Sequence, residues 1–167
     1  TPPEFDCPQW SPHHASSRAH MRTGAARRAR CQPAGGRLGA RAVVIDGDKV
    51  LLLRHTYTPG WHFPGGGVER GETCGLSLSR ELMEEAGIAA LESALEVVSV
   101  HANHAFFPND HVLLYRVRDW TQGEATQRGE IAEIRFVDPL NPPAEVSRGT
   151  KNRLDELFAG KTFNPLW

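Results

Sequence analysis

From Leu38 onward, short apolar runs alternate with polar breaks. ARAVVID (40–46) and KVLLLRH (49–55) are aliphatic and β-branched, and Asp46-Gly47-Asp48 joins them. An Asp-Gly step between two such runs predicts a hairpin, because glycine takes a positive φ without steric cost. HTYTPGWHFPGGG (55–67) reads as a loop broken by Pro59-Gly60 and Pro64-Gly65. A helix follows, opened at Glu72 or Thr73 and closed by Gly87. LEVVSVHA (95–102), HVLLYRVRDW (111–120) and EIRFVD (133–138) read as three more strands, and DPLNPP (138–143) breaks the chain. Leu154, Leu157 and Phe158 at i, i+3 and i+4 mark a last helix from Thr150 to Ala159. The order β-β-α-β-β-β-α predicts an α+β or mixed α/β fold, a mixed β-sheet with helices on its faces.

Composition separates the first segment from the rest. Residues 1–37 hold six arginines against Glu4 and Asp6, a formal +4, which leaves −5 for residues 38–167 of an overall −1. Pro, Ser, His and Gly are frequent there and aliphatic residues scarce, so the segment buries too little apolar surface to offset its ordering entropy. The expected organisation is a flexible basic extension over 1–37, with Met21 a candidate internal start, and one domain over 38–167. The net charge of −1 argues neither for nor against nucleic acid, and no apolar run reaches membrane-spanning length. Cys7, Cys31 and Cys74 are odd in number and lack paired metal spacing, so a reducing, cytoplasmic setting fits better than a disulfide framework.

The densest chemistry lies in GGGVERGETCGLSLSRELMEEAGI (65–88), with five acidic residues. With Leu78 placed at 0° on a helical wheel, Leu82 falls at about 40° and Ala86 at about 80°. Glu81, Glu84 and Glu85 fall at about 300°, 240° and 340°, on one arc beside the apolar one. Like charges so close repel unless a cation sits among them. Hard divalent cations take several oxygen ligands, and Mg²⁺ is often held by a few carboxylates together with substrate phosphate. An exposed glutamate-rich helix is the plainer alternative from the arc alone.

From Gly66 the stretch reads Gly, five residues, Glu72, seven residues, Arg80-Glu81-Leu82, one residue, Glu84-Glu85, one residue, Gly87-Ile88. This resembles the Nudix box at every defined position. The motif covers 23 residues, and the element order from about Leu38 to Leu157 is similar to the Nudix fold, a mixed sheet sandwiched between helices. Residues 1–37 lie outside the likeness.

The resemblance implies a hydrolase that cuts a pyrophosphate bond in a nucleoside diphosphate linked to another group, using Mg²⁺ or Mn²⁺. It implies that Glu81, Glu84 and Glu85 are metal-binding carboxylates and that the Gly65 carbonyl adds a ligand. Glu72 and Arg80 would brace the loop against the helix, with Leu82, Ala86 and Ile88 in the core. The family commonly draws one more carboxylate, as base or ligand, from outside the box. Glu130 is the chosen candidate, with Glu133 and Glu124 as alternatives, and Glu81 could itself be the base. Water attack at phosphorus builds charge on oxygen, which explains the need for metal and so for carboxylates.

Arg54 at a strand end could meet a phosphate, and Trp61, Phe63 and Phe106 could stack on a base, although packing is the commoner use of such aromatics. His101, His104 and His111 invite a zinc site but lack a placed third ligand type. The marks of the NADH, coenzyme A, ADP-ribose and dinucleoside polyphosphate subtypes are absent around the box. The expected partner is a small-molecule nucleotide, with a nucleoside triphosphate slightly ahead of other nucleoside diphosphate derivatives. Neither a membrane nor nucleic acid is expected, and a homodimer is compatible with the reading. A binding module without turnover is the alternative of another class; such modules usually lose box carboxylates, all of which are present.

Overall fold

The computed structural model describes residues 36–167 apart from 106, 127 and 128. The extension expected over 1–37 therefore lies, up to residue 35, outside the described residues, as does Phe106. In chain order the elements are β1 (Arg37–Asp46), β2 (Lys49–His55), α1 (Cys74–Ala86), β3 (Ile88–Ala89), a 3-10 turn (Glu92–Ala94), β4 (Leu95–Ala102), β5 (Asp110–Val117), β6 (Thr121–Gln122), β7 (Ile131–Val137) and α2 (Arg148–Phe158). A five-stranded sheet runs β4-β5-β1-β2-β7, and β3 pairs with β6 apart from it. The sheet is mixed: β1 runs parallel to β5, and the other neighbours are antiparallel.

The two faces of β1 follow its alternation. Ala40, Ala42 and Val44 join Leu78, Leu82, Ala86 and Ile88 in one core under α1. Val43 joins Leu52, Leu114, Val137 and Leu154 in a second core under α2. Leu78, Leu82 and Ile88 are fully buried, and each contributes about 2 kcal/mol of apolar burial. That places α1 against the sheet and leaves its glutamate arc at the side. No helix among the described residues is long and apolar enough to cross a membrane.

The Asp46-Gly47 turn forms as expected, but the hairpin it starts does not continue. β1 and β2 pair only at Ile45 with Val50 and Asp46 with Lys49. Beyond that they splay, and the chain from His62 to Val68 enters the gap. Leu53 and His62 exchange both backbone bonds, at 2.9 and 2.8 Å. The Ala42 amide donates to Pro64 O at 3.0 Å, Ala40 to Gly66 O at 2.9 Å, and Val68 to Leu38 O at 2.9 Å. The glycine triplet is thus held in the sheet between β1 and β2.

Helix α1 is bounded where its sequence says. Thr73 Oγ1 accepts from the Leu76 amide at 3.1 Å, and the Gly87 amide donates to Leu82 O and Met83 O. Thr73→Ala is expected to cost about 1 kcal/mol by urea denaturation, the usual worth of such a cap. Helix α2 starts two residues earlier than its apolar spacing suggests, because Ser147 caps it. The tail closes the β4 edge: Ala102 donates to Pro165 O at 2.8 Å and Trp167 to Ala102 O at 2.9 Å.

Candidate active site

The splayed hairpin, the glycine segment and the C-terminal half of α1 line a cleft of about 500 Å³. Gly65 sits at φ +125°, and a Cβ there would collide with the Ala40 carbonyl oxygen. A Cβ on Gly66 would fall on the Glu81 carboxylate. Glycine at 65 lets the backbone pass directly against β1, and glycine at 66 lets it come directly against the acidic helix. Ser77 Oγ ties the helix to the loop by donating to Gly67 O at 3.0 Å.

Arg80 organises the outer acids. Its Nε and Nη2 donate to the two Glu72 oxygens at 2.9 and 3.1 Å, a two-pronged contact that braces the loop against α1. That contact holds the Glu72 carboxyl down at about 2. Nη1 of Arg80 reaches Glu81 at 2.9 Å and Glu84 at 3.3 Å. Like charges can crowd here because a guanidinium lies among them.

Glu85 is different. It is buried, and its Oε2 accepts from the Gly65 amide at 2.7 Å. Burial pushes its carboxyl up to about 7, and the charges of Glu81 and Glu130 push the same way. The Gly65 amide and Arg41 oppose the rise without cancelling it. Beside it lies His55, whose Nε2 is 3.8 Å from Glu85 Oε1. This is not an ion pair at neutral pH: burial first, then Arg41 and His62, lower the imidazole to about 4. His55 Nδ1 is buried with no hydrogen-bond partner among the described residues.

Glu130 lines the same cleft from the start of β7, fixed by its carbonyl, which accepts from the Thr56 amide at 2.8 Å. Glu133 does not line it: its carboxylate pairs with Arg54 at 3.2 Å and with Arg135. Glu124 does not line it either: its backbone lies against Gly87, at the C-terminal end of α1. Arg54 is accordingly engaged with Glu133 and lines a neighbouring groove of about 870 Å³, which joins the cleft at His55, Tyr57 and Thr58. Trp61 and Phe63 correct the expectation of stacking residues, since both are buried in the core under α2. The insertion between the strands turns them inward. His101 is buried as well, against Ser99 and Asn164, and its ring is remote in bonding from His104 and His111, which face each other at 5.6 Å.

Several side chains of the cleft, Arg41, His55 and Tyr57 among them, carry no signal in the sequence. Arg41 looked like any polar residue in an alternating strand. His55 looked like a strand end. Tyr57, 67% exposed at the junction of cleft and groove, looked like loop. Only the double Pro-Gly punctuation of 55–67 signalled that a structured loop sits there.

The donor set suits a hard divalent ion. Glu81, Glu84, Glu85 and Glu130 offer carboxylate oxygen, Gly65 offers a carbonyl, and the Gly66 cradle would be filled by any Cβ. Among the described residues, no three acidic, histidine or cysteine side chains converge as a ready cage. Glu81 and Glu84 are turned onto Arg80, and Glu85 onto the Gly65 amide.

Comparison with known proteins agrees with this geometry. A family model described as NUDIX domain matches residues 36–157. A protein of Bacillus subtilis (strain 168) named as an 8-oxo-dGTP diphosphatase is 28% identical over 124 residues, 73% of this chain and 80% of that one. An ADP-ribose pyrophosphatase of Methanocaldococcus jannaschii is 30% identical over 111 residues, 61% of this chain and 64% of its own length. Among solved structures, a MutT NUDIX hydrolase from Burkholderia pseudomallei superposes with a TM-score of 0.64 at 20% identity, covering 74% of this chain and 98% of that one. That likeness concerns the fold alone.

Proposed function

The chain belongs to the NUDIX domain family, and from that premise we propose that it hydrolyses a pyrophosphate bond in a nucleoside triphosphate, with Mg²⁺ or Mn²⁺ held by Glu81, Glu84, Glu85, Glu130 and the Gly65 carbonyl. The observation that carries this reading is the meeting of all four carboxylates with the glycine segment in one cleft. A non-catalytic nucleotide-binding module would have little use for four acids facing an anionic ligand.

Bound divalent ions would supply charge neutralisation at the phosphoryl oxygens and a more acidic water. The residues divide the remaining work. Water adds to one phosphorus, the bridging P–O bond breaks, and the leaving phosphate keeps the electron pair. Glu130, at the mouth of the cleft, is the group proposed to take the proton from that water. Glu72 and Arg80 keep the loop and helix in register.

Glu130→Gln is expected to lower kcat about a hundredfold with a smaller change in KM. Glu133→Gln should leave kcat nearly unchanged, because its carboxylate serves Arg54 and Arg135. A silent Glu130→Gln beside an inactive Glu133→Gln would move the role.

A second reading, a nucleoside diphosphate linked to a larger group such as a sugar, is favoured by the groove adjoining the cleft, which offers about 870 Å³ for a second moiety. The two named relatives divide in the same way. The one aligned over more of its length is named for a triphosphate substrate, and the other is named for ADP-ribose. A panel of nucleoside triphosphates, 8-oxo-dGTP and ADP-ribose, assayed with Mg²⁺ and Mn²⁺, separates them by products. Nucleoside monophosphate with inorganic pyrophosphate is the expected outcome; monophosphate with a sugar phosphate, and no turnover of triphosphates, would favour the second reading.

A further inference from the structure

Arg41 is a cation inside an acidic cleft, yet it pairs with no carboxylate among the described residues. It stands on β1 between Ala40 and Ala42, both fully buried under α1. Its side chain leaves the opposite face of the strand and lines the cleft with Glu85 and Glu130. Its Nη1 donates to two backbone carbonyls, Phe63 O at 3.3 Å and Gly65 O. A guanidinium carries five N–H donors in a flat fork. Among the described residues, the donors on Nε and Nη2 find no hydrogen-bond partner, and neither atom is buried.

Two facts make this arrangement informative. The carbonyl that Arg41 holds, Gly65 O, is the one assigned above to the divalent ion. A guanidinium and a divalent cation brought to one carbonyl oxygen repel, so each weakens the other's hold on it. And the free edge of a guanidinium matches the paired oxygens of a phosphate better than any other side chain does. Carbonyls hold it more weakly than a carboxylate would, so it is available for exchange.

We propose that Arg41 is a substrate-phosphate contact of this site, held on the Gly65 and Phe63 carbonyls until a divalent ion takes Gly65 O and the guanidinium turns to the diphosphate. The inference rests on the metal assignment under Proposed function. It makes metal and Arg41 competitors in the free enzyme and allies once the anion is bound. A purely structural arginine would weaken both steps when removed.

The test titrates MnCl2 alone into the full chain, followed by electron paramagnetic resonance, for wild type, Arg41→Met and Arg41→Lys. Methylenediphosphonate is then titrated at saturating Mn²⁺ by calorimetry. Arg41→Met is expected to bind Mn²⁺ several-fold more tightly, because the competing charge is gone. It is expected to bind methylenediphosphonate about tenfold or more weakly, the loss of a charge-assisted hydrogen bond. Arg41→Lys keeps the charge without the fork, and should show wild-type Mn²⁺ affinity with weakened diphosphonate binding. Thermal melts report whether each variant is folded, and Arg41→Lys keeps the test alive where Arg41→Met is not. Unchanged or weaker Mn²⁺ binding in Arg41→Met, or diphosphonate affinity at the wild-type level in both variants, overturns the assignment. Failure of wild type itself to bind Mn²⁺ overturns the metal reading beneath it, a result distinct from either.

Discussion

Glu84→Gln and Glu85→Gln are each expected to lower kcat at saturating Mg²⁺ by about a thousandfold, some 4 kcal/mol of barrier. The size follows from what glutamine keeps and what it loses. It keeps an oxygen acceptor and nearly the same volume. The Gly65 amide, 2.7 Å from Glu85 Oε2, therefore retains a partner, and so does Arg80, 3.3 Å from Glu84. What disappears is a negative charge, and a hard divalent ion facing an anionic substrate depends on that charge. Circular dichroism and thermal midpoint should show an intact fold in both variants, so the loss belongs to the chemistry. The effect should exceed that of Glu130→Gln, since one charge near the metal acts on both the binding and the reactivity of the phosphoryl group. If either variant turns over at the wild-type rate with excess Mg²⁺, that glutamate is not a ligand.

The parts of the site that sequence alone revealed are those whose geometry is local. Glu81, Glu84 and Glu85 share a face because a helix repeats every 3.6 residues, and the helix is certain because Thr73 and Gly87 bound it. The Glu72–Arg80 brace spans eight residues and forms as the motif implied. What remained hidden depends on long-range pairing. The Asp46-Gly47 turn announces a hairpin, but nothing local says that β1 leaves β2 after two pairs, nor that its other edge takes a parallel partner over 60 residues away, with Arg37 against Asp110. That departure opens the gap, the 62–68 segment fills it, and the filling decides the rest. It turns Trp61 and Phe63 into the core under α2, where they had looked like candidates for stacking. It also brings Gly65 beneath Arg41, so that an ordinary position in an alternating strand becomes a cleft residue. Arg54 and Glu133 are cross-strand neighbours for the same kind of reason, a register between β2 and β7 that neither strand encodes by itself.

Glu85 also gives the metal-free protein a pH signature, the second large effect expected. Its carboxyl is near 7 in the folded chain, against an ordinary value of 4.5. The fold therefore favours the protonated form. The stability this provides is complete below about 4.5 and is lost as pH rises through about 7, because above that point a buried charge must be carried. Relative to Glu85→Gln, which has no proton to lose, wild type should become less stable by about 3 kcal/mol between pH 4.5 and pH 8 without metal. The raw wild-type curve will show less than this. His55, lowered to about 4 from 6.5, runs the other way: its contribution is complete above about 6.5 and is lost as pH falls toward 4. Subtracting the Glu85→Gln curve, measured by urea denaturation at half-unit intervals, separates the two. Mg²⁺ should then restore wild-type stability most above pH 7, where Glu85 is ionised and repelled by Glu81 and Glu130, and least at pH 5, where the ion must displace a proton. Parallel curves for the two proteins, or a Mg²⁺ effect independent of pH, would show that Glu85 does not link the buried proton to the metal.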